Sequence, residues 1–241
     1  MSRKLTVIIL IAAVALALSA TGCAEEKIYV DYDLYGERTY GVEISEAENY
    51  RIFTPQAEGA EWAFLFYLGT AMLVANYDDI LTEIAATGIT VVVSPNPFPD
   101  IFYDETEKAY SLTEAKKFFI GGHSQGGGAA VRRACENPTS TYGCVLYSPL
   151  ISNDFTLADK DLPVLFFEAE NDKVLSSSMK TAAKERMSES SEFIFLEGAN
   201  HMVYGTKEFF ADGENDVPKA DTQAKTVSET VRFFRSIIRG K

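Results

Sequence analysis

The chain has 241 residues, of which 46% are hydrophobic and 24% charged, and its formal net charge at pH 7 is −13. This is the composition of a globular protein with one sizeable core. The acidic charge argues against nucleic acid or an anionic membrane surface as the main partner, because like charges repel.

The first 22 residues have the pattern of an export signal. Arg3 and Lys4 precede an apolar run over residues 5–18, which is shorter than the roughly 20 residues that a membrane-spanning helix needs. Small residues then lead to Cys23, and the arrangement resembles a bacterial lipoprotein signal. We therefore expect residues 1–22 to be removed and the protein to be anchored outside the cytoplasm by lipid on Cys23. A cleaved secreted protein and an uncleaved membrane anchor are the alternatives.

Beyond the signal, apolar runs alternate with helical patterns. Residues 24–48 are predicted to be an N-terminal segment with an edge strand at 28–35, and residues 49–241 a single α/β domain. Its strands are predicted at 49–55, 61–69, 89–95, 116–122, 142–149, 162–170 and 191–198, and its helices at 74–88, 104–116, 125–136, 176–188 and 219–238. Continuous apolar strands alternating with helices predict a mostly parallel sheet flanked by helices, with its site at the carboxyl ends of the strands.

The stretch "GGHSQGGG" at residues 121–128 lies between a predicted strand and a predicted helix. It lacks the lysine of a phosphate-binding loop and the glycine spacing of a dinucleotide site. What remains is the pattern G-x-S-x-G, formed by Gly122, Ser124 and Gly126. At a strand–turn–helix junction this pattern predicts a nucleophile elbow, with Ser124 as the nucleophile.

A serine nucleophile needs a base, and the base needs a carboxylate to orient it. His123 is inside the elbow and is predicted to pack beside the strand. His201 follows the last predicted strand and precedes the last helix, so we predict that it is the base. Asp172, just past the end of a strand, is the predicted carboxylate, with Glu170 as the alternative.

The oxyanion that forms during acyl transfer needs two backbone N–H donors. We predict that Gln125 supplies one and that Thr70 or Ala71 supplies the other, and we expect no role for the glutamine side chain. No metal or cofactor is expected. Cys135 and Cys144 fit either a disulfide outside the cytoplasm or two buried thiols.

These residues resemble the α/β-hydrolase fold superfamily over most of residues 50–238. The stretches around Ser124, Asp172 and His201 ("GGHSQGG", "AENDKVLS" and "GANHMVYG") resemble those of small dienelactone-hydrolase-like proteins that lack a cap. Dienelactone hydrolase itself uses a cysteine nucleophile, so lactone specificity is not implied. Where such proteins often carry a second glycine this chain has Thr70, which leaves the second oxyanion donor open.

The resemblance implies an α/β-hydrolase fold with no sizeable cap domain, because only residues 150–161 lie where caps are inserted. It also implies a serine hydrolase that acts on a small-molecule ester or a related acyl compound. The loops at 96–105 and 205–218 are expected either to form an aromatic-walled acyl pocket with an acidic rim or to be ordinary surface loops. A non-catalytic binding protein on the same fold, and an acyltransferase or peptidase with the same triad, are the alternatives.

Overall fold

The computed structural model describes residues 39–95, 102–136 and 141–240, without the side chains of residues 102–106. The predicted signal at 1–22, Cys23 and the edge strand at 28–35 lie outside the described residues. In the described part of the chain, no helix has both the length and the apolar character needed to cross a lipid bilayer.

Eight strands of the described chain form one sheet in the order β1-β2-β4-β3-β5-β6-β7-β8. Their bounds are β1 Val42–Ala47, β2 Tyr50–Pro55, β3 Trp62–Tyr67, β4 Thr90–Ser94, β5 Lys117–His123, β6 Thr141–Tyr147, β7 Val164–Ala169 and β8 Ser191–Leu196. The β1–β2 and β2–β4 pairs are antiparallel and the other five pairs are parallel. The prediction of a mostly parallel sheet is confirmed.

Helices cover both faces of the sheet. Their bounds are α1 Asp78–Ala85, α2 Phe102–Ser111, α3 Gln125–Glu136, α4 Ser177–Lys184 and α5 Lys219–Arg239. Helices α1 and α5 pack in one core cluster, and α2, α3 and α4 in the other. All six residues of β3 are buried as a result, which explains why its sequence is apolar without alternation. The segment between β6 and β7 is described throughout and contains neither helix nor strand, so no sizeable cap is inserted there.

Trp62, the single tryptophan, opens β3 at the edge of the sheet where the parallel strands begin. It is 3% exposed, stacks on Phe119 at 5.1 Å between ring centroids and meets Tyr142 edge-on at 5.1 Å. The ammonium group of Lys117 lies 5.1 Å from its ring centroid. Aromatic pairs and cation–π contacts of this kind stabilise the amino-terminal end of the core.

The clearest differences from the sequence-based prediction are in three elements. The helix predicted at 104–116 ends at Ser111, because the Thr113 hydroxyl accepts the N–H of Ala115 at 3.1 Å and so competes with the helical hydrogen bond. The helix predicted at 74–88 begins as the 3-10 helix Val74–Tyr77 before α1. Strand β1 was not predicted, and its side chains are mostly exposed.

Candidate active site

The carboxyl ends of the parallel strands meet at one edge of the sheet. Tyr67 at the end of β3 lies opposite Gly122, and His123 at the end of β5 lies opposite Tyr147. Tyr147 in turn lies opposite Phe167 in β7. The segments that follow these strands therefore share one edge, which is where the predicted site residues occur.

Ser124 lies at the turn between β5 and α3 with a φ of 54°, a left-handed conformation that is uncommon for serine. Its backbone fixes the turn: its N–H donates to the Tyr147 carbonyl at 3.0 Å, and its carbonyl accepts the N–H of Gly127 at 3.0 Å and of Leu150 at 2.8 Å. A strained serine between a strand and a helix is the geometry of a nucleophile elbow. Among the described residues, no hydrogen bond occupies its hydroxyl, and the residue is partly exposed.

The elbow requires glycine at position 126. A Cβ atom there would lie 2.1 Å from the Tyr67 carbonyl oxygen and 2.5 Å from that of Leu68. The absent side chain lets the first turn of α3 approach the end of β3 closely. The spacing in G-x-S-x-G thus follows from backbone packing.

Asp172 and His201 form a buried pair. His201 Nδ1 lies 2.8 Å from Asp172 Oδ2, and the two side chains are 3% and 1% exposed. The other oxygen, Oδ1, accepts the N–H groups of Val174 at 2.8 Å and Leu175 at 2.9 Å. A carboxylate held in this way requires a proton on His201 Nδ1, so the neutral ring has its free electron pair on Nε2.

The alternative acid, Glu170, does not contact His201. Its Oε2 accepts the N–H of Gly198 at 2.8 Å, which ties the end of β7 to the turn after β8. The structure therefore brings His201 together with Asp172 and assigns Glu170 to a different contact.

His123 packs beside the strand in the structure, and its ring links three segments of the site. Its Nε2 lies 2.9 Å from the His201 carbonyl oxygen, which can only accept, so Nε2 carries the proton. Its Nδ1 then accepts from the Tyr77 hydroxyl at 2.9 Å, and that hydroxyl oxygen accepts the N–H of Gly69 at 3.0 Å. Burial lowers the pKa of His123 well below its ordinary value, the nearby His201 lowers it further, and burial raises the pKa of Tyr77. His123 is therefore neutral, and every hydrogen bond in the chain from Gly69 to His201 has a donor and an acceptor.

We expect the buried neutral His123 to make the protein less stable in acid. Below about pH 6.5, the ordinary pKa of histidine, the unfolded chain binds one proton more at this residue than the folded protein does. The free energy of unfolding should therefore fall by about 1.4 kcal/mol per pH unit from this group as the pH drops from 6 to 5. Urea unfolding of the wild type and of His123→Gln at pH 7, 6 and 5 gives, for each protein, the slope of the free energy of unfolding against pH. Equal slopes would contradict a neutral His123.

The predicted oxyanion donors face no competing partner. Within the described residues, no hydrogen bond uses the backbone N–H of Gln125, Thr70 or Ala71. Ala71 has a φ of 60°, which turns the chain sharply after β3. The expectation for the Gln125 side chain needs a correction, because its Oε1 accepts the Thr70 hydroxyl and so joins the elbow to the loop after β3. Sequence spacing carries no signal for a contact between residues so far apart.

The two cysteines are free thiols in the structure, so the disulfide considered from the sequence is not formed. Cys144 is buried in β6, and burial raises the pKa of its thiol. Cys135 is partly buried in α3, where its thiol lies 3.1 Å from the Thr156 carbonyl oxygen.

A groove of about 340 Å³ lies beside the elbow. Its lining residues come from the segment after β6 and from α4, and they are Pro149, Leu150, Ile151, Ser152, Asn153, Ser178, Met179 and Ala182. The Leu150 N–H that donates to the Ser124 carbonyl connects this groove to the elbow.

The aromatic side chains of the loop at 205–218 do not line this groove. Phe209 and Phe210 are 43% and 98% exposed, so both project towards solvent. Of the other predicted pocket loop, at 96–105, residues 96–101 and the side chains of residues 102–105 lie outside the described part of the chain. No group of three or more His, Cys, Asp or Glu side chains in the described segments could hold a metal ion.

Comparison with known proteins agrees with this fold. The model of the alpha/beta hydrolase family matches residues 63–225. The crystal structure of a predicted CIB-like hydrolase from Thermoplasma acidophilum has 16% sequence identity and a TM-score of 0.60, and the match covers 82% of this chain and 98% of that one. At such low identity the likeness shows the fold alone. No curated protein sequence is significantly similar to this chain.

Proposed function

The chain belongs to the alpha/beta hydrolase family, and from that premise we propose that it is a serine hydrolase. Its substrate is a carboxylic ester or a related acyl compound, and its triad is Ser124, Asp172 and His201. Family membership supports a hydrolase-type function. The observation that carries the finer assignment is the buried Asp172–His201 pair, at 2.8 Å, on the same sheet edge as the strained Ser124.

In the proposed reaction, the Ser124 hydroxyl attacks the acyl carbon while His201 Nε2 takes its proton. The imidazolium that forms is stabilised by the Asp172 carboxylate. Collapse of the tetrahedral intermediate transfers the proton from His201 to the leaving group and leaves an acyl-serine. Water, deprotonated by His201, then cleaves the acyl-serine and restores the hydroxyl.

The negative charge on the carbonyl oxygen is held by the N–H groups of Gln125 and of Thr70 or Ala71. These backbone donors are fixed before the reaction, so little reorganisation is needed when the charge develops. The contact between Thr70 and Gln125 side chains supports this role, since it holds the two donor segments next to each other.

A fluorophosphonate probe tests the proposal, because it reacts with an activated serine without requiring knowledge of the substrate. We expect the full chain to gain one adduct, located on Ser124 by peptide mass spectrometry. A well-folded protein that does not react would favour a non-catalytic binding protein on this fold. Product analysis with an ester, with an amide, and with an ester plus an added alcohol distinguishes ester hydrolysis from peptide cleavage and from acyl transfer.

We further propose that the groove beside the elbow holds an apolar part of the substrate. Leu150 and Met179, which are 37% and 41% exposed, are two of its walls. In Met179→Glu, kcat/KM for a hexanoyl ester should fall about 10-fold, while that for an acetyl ester stays unchanged. Position 179 is the third residue of α4 after the N-cap Ser176, where glutamate is well tolerated.

The matched control is Phe195→Glu, which introduces the same charge at a side chain of similar exposure on β8. This control should leave kcat/KM unchanged for both the hexanoyl and the acetyl ester. A loss in Met179→Glu that is equal for the two esters would contradict a chain-binding groove.

Export and lipid anchoring at Cys23 are also proposed, and they rest on the apolar run that precedes this cysteine. Cell fractionation tests them. The protein should be found with the membranes, and Cys23→Ala should not be processed or anchored by lipid. A wild-type protein that stays in the cytoplasm would contradict export.

A further inference from the structure

The loop at residues 205–216 contacts the segments that carry Asp172 and His201 and the segment after β3. Its central contact is Asp212. Oδ2 of this carboxylate accepts the N–H of Met202 at 2.9 Å, and Oδ1 accepts the N–H of Lys173 at 3.3 Å. Met202 directly follows His201 and Lys173 directly follows Asp172, so one carboxylate holds the next backbone amide after each member of the pair.

The same loop also holds the residues that precede the pair. The Asn200 side chain donates to the Gly213 carbonyl at 2.8 Å, and the Asn200 N–H donates to Asn215 Oδ1 at 2.8 Å. The Asn171 side chain donates to the Glu214 carbonyl at 3.0 Å. Asp172 and His201 are therefore fixed from both sides along the chain.

Close packing of the backbone accompanies these hydrogen bonds. A Cβ atom at Gly213 would lie 1.8 Å from the Asn171 carbonyl oxygen. Only glycine lets the loop come this near to the segment before Asp172. The loop is thus fitted to the acid segment by its shape as well as by its polar contacts.

The other end of the loop contacts the segment that follows β3. The Lys207 ammonium group donates to the Ala71 carbonyl. The Thr206 N–H donates to the Asn76 carbonyl at 2.8 Å, and the Asn76 side chain donates to the Thr206 hydroxyl at 3.1 Å. The segment held here contains one of the two proposed oxyanion donors.

We propose that the 205–216 loop is the positioning element of the site and that Asp212 is its main positioning residue. Asp212 touches no reacting atom in this proposal, which rests on the proposed serine hydrolase function. It acts through Lys173 and Met202, whose amides it binds, and so keeps Asp172 Oδ2 and His201 Nδ1 at hydrogen-bonding distance. Hydrogen bonds to a carboxylate are stronger than those to a neutral acceptor, which suits this role.

The test compares Asp212→Asn with Glu214→Gln. The asparagine has one acceptor oxygen, and its NH₂ group cannot accept, so either Lys173 or Met202 loses its partner. Glu214→Gln removes the same charge from the same loop, and its exposed side chain makes no hydrogen bond or ion pair within the described residues. The readouts are the rate of fluorophosphonate labelling, kcat and KM for an ester, and hydrogen exchange of individual amides.

We expect Asp212→Asn to lower kcat and the labelling rate about 10- to 100-fold with little change in KM, since a misplaced base slows the chemical step. The amides of Lys173 and Met202 should exchange faster. Glu214→Gln should match the wild type in every readout. The proposal would be overturned if these two amides exchanged faster while the labelling rate stayed the same, because Asp212 would then be a purely structural residue. It would also be overturned if the exchange of both amides were unchanged.

If Asp212→Asn does not fold, Lys207→Met provides the second test, because it removes the hydrogen bond to the Ala71 carbonyl at the opposite end of the loop and changes an exposed side chain. It should then lower the labelling rate about threefold, and an unchanged rate would overturn the proposal. If the wild type is not labelled, the serine hydrolase assignment fails, while amide exchange in Asp212→Asn and Glu214→Gln still tests whether the loop holds the two segments.

Discussion

Replacing Ser124 with alanine should lower kcat/KM for any ester that the protein hydrolyses by roughly 10⁴- to 10⁶-fold, and should abolish labelling by fluorophosphonate. Loss of the hydroxyl removes the acyl-enzyme route, and only substrate binding and oxyanion stabilisation remain. The fold should be unaffected, because the hydrogen bonds of Ser124 within the described structure are made by its backbone. Alanine also carries the same Cβ atom as serine, so the left-handed conformation is no more strained than before.

The control for this variant is Ser236→Ala, which removes from an exposed residue of α5 a hydroxyl that donates only to the Phe233 carbonyl of the same helix, at 2.8 Å. It should keep wild-type activity and labelling. If Ser124→Ala retained more than a tenth of the wild-type kcat/KM, Ser124 would not be the nucleophile. The Asp172–His201 pair would then need another role.

Replacing Asp172 with asparagine should lower kcat about 10⁴-fold while the protein stays folded. The amide oxygen can still accept the N–H groups of Val174 and Leu175, so the turn is retained. The NH₂ group would then face His201 Nδ1 and donate to it. This contact forces the proton of the neutral ring onto Nε2, the nitrogen that must accept the proton of Ser124. The base is lost although the geometry is preserved.

Steady-state kinetics of Asp172→Asn beside Glu170→Gln test this assignment. Glu170 is the neighbouring carboxylate, and its contact is with the N–H of Gly198, so its replacement should change kcat less than about threefold. The opposite result, with an active Asp172→Asn and an inactive Glu170→Gln, would transfer the role of the acid to Glu170.

The sequence was informative about the buried part of the fold and less so about its margins. Strands such as β3 are covered on both faces, so burial leaves a continuous apolar run that can be recognised. Strand β1 is an edge strand with mostly exposed side chains, and no apolar pattern marks it. It is joined to β2 by Glu48 and Asn49, both with positive φ, and glutamate is not a residue that predicts such a turn.

The same contrast holds for the site. Ser124, Asp172 and His201 could be singled out because each lies within a few residues of the end of a recognisable strand. Tyr77 has apolar helical spacing, and nothing in that pattern indicates that its hydroxyl reaches His123. The role of Asp212 depends on contacts with two backbone amides, and an amide is present at almost every position of the chain. Such residues become visible only when tertiary structure brings the segments together.

The position of Trp62 makes intrinsic fluorescence a selective measurement. Strand β3 separates this indole from the elbow by about 17 Å, and the ring is enclosed by Phe119, Tyr142 and Lys117. Its emission spectrum therefore reports whether the sheet is intact and is insensitive to what occupies the opposite edge. Titration with a substrate analogue should leave the spectrum unchanged, and a red shift in a variant identifies a folding defect rather than an altered site.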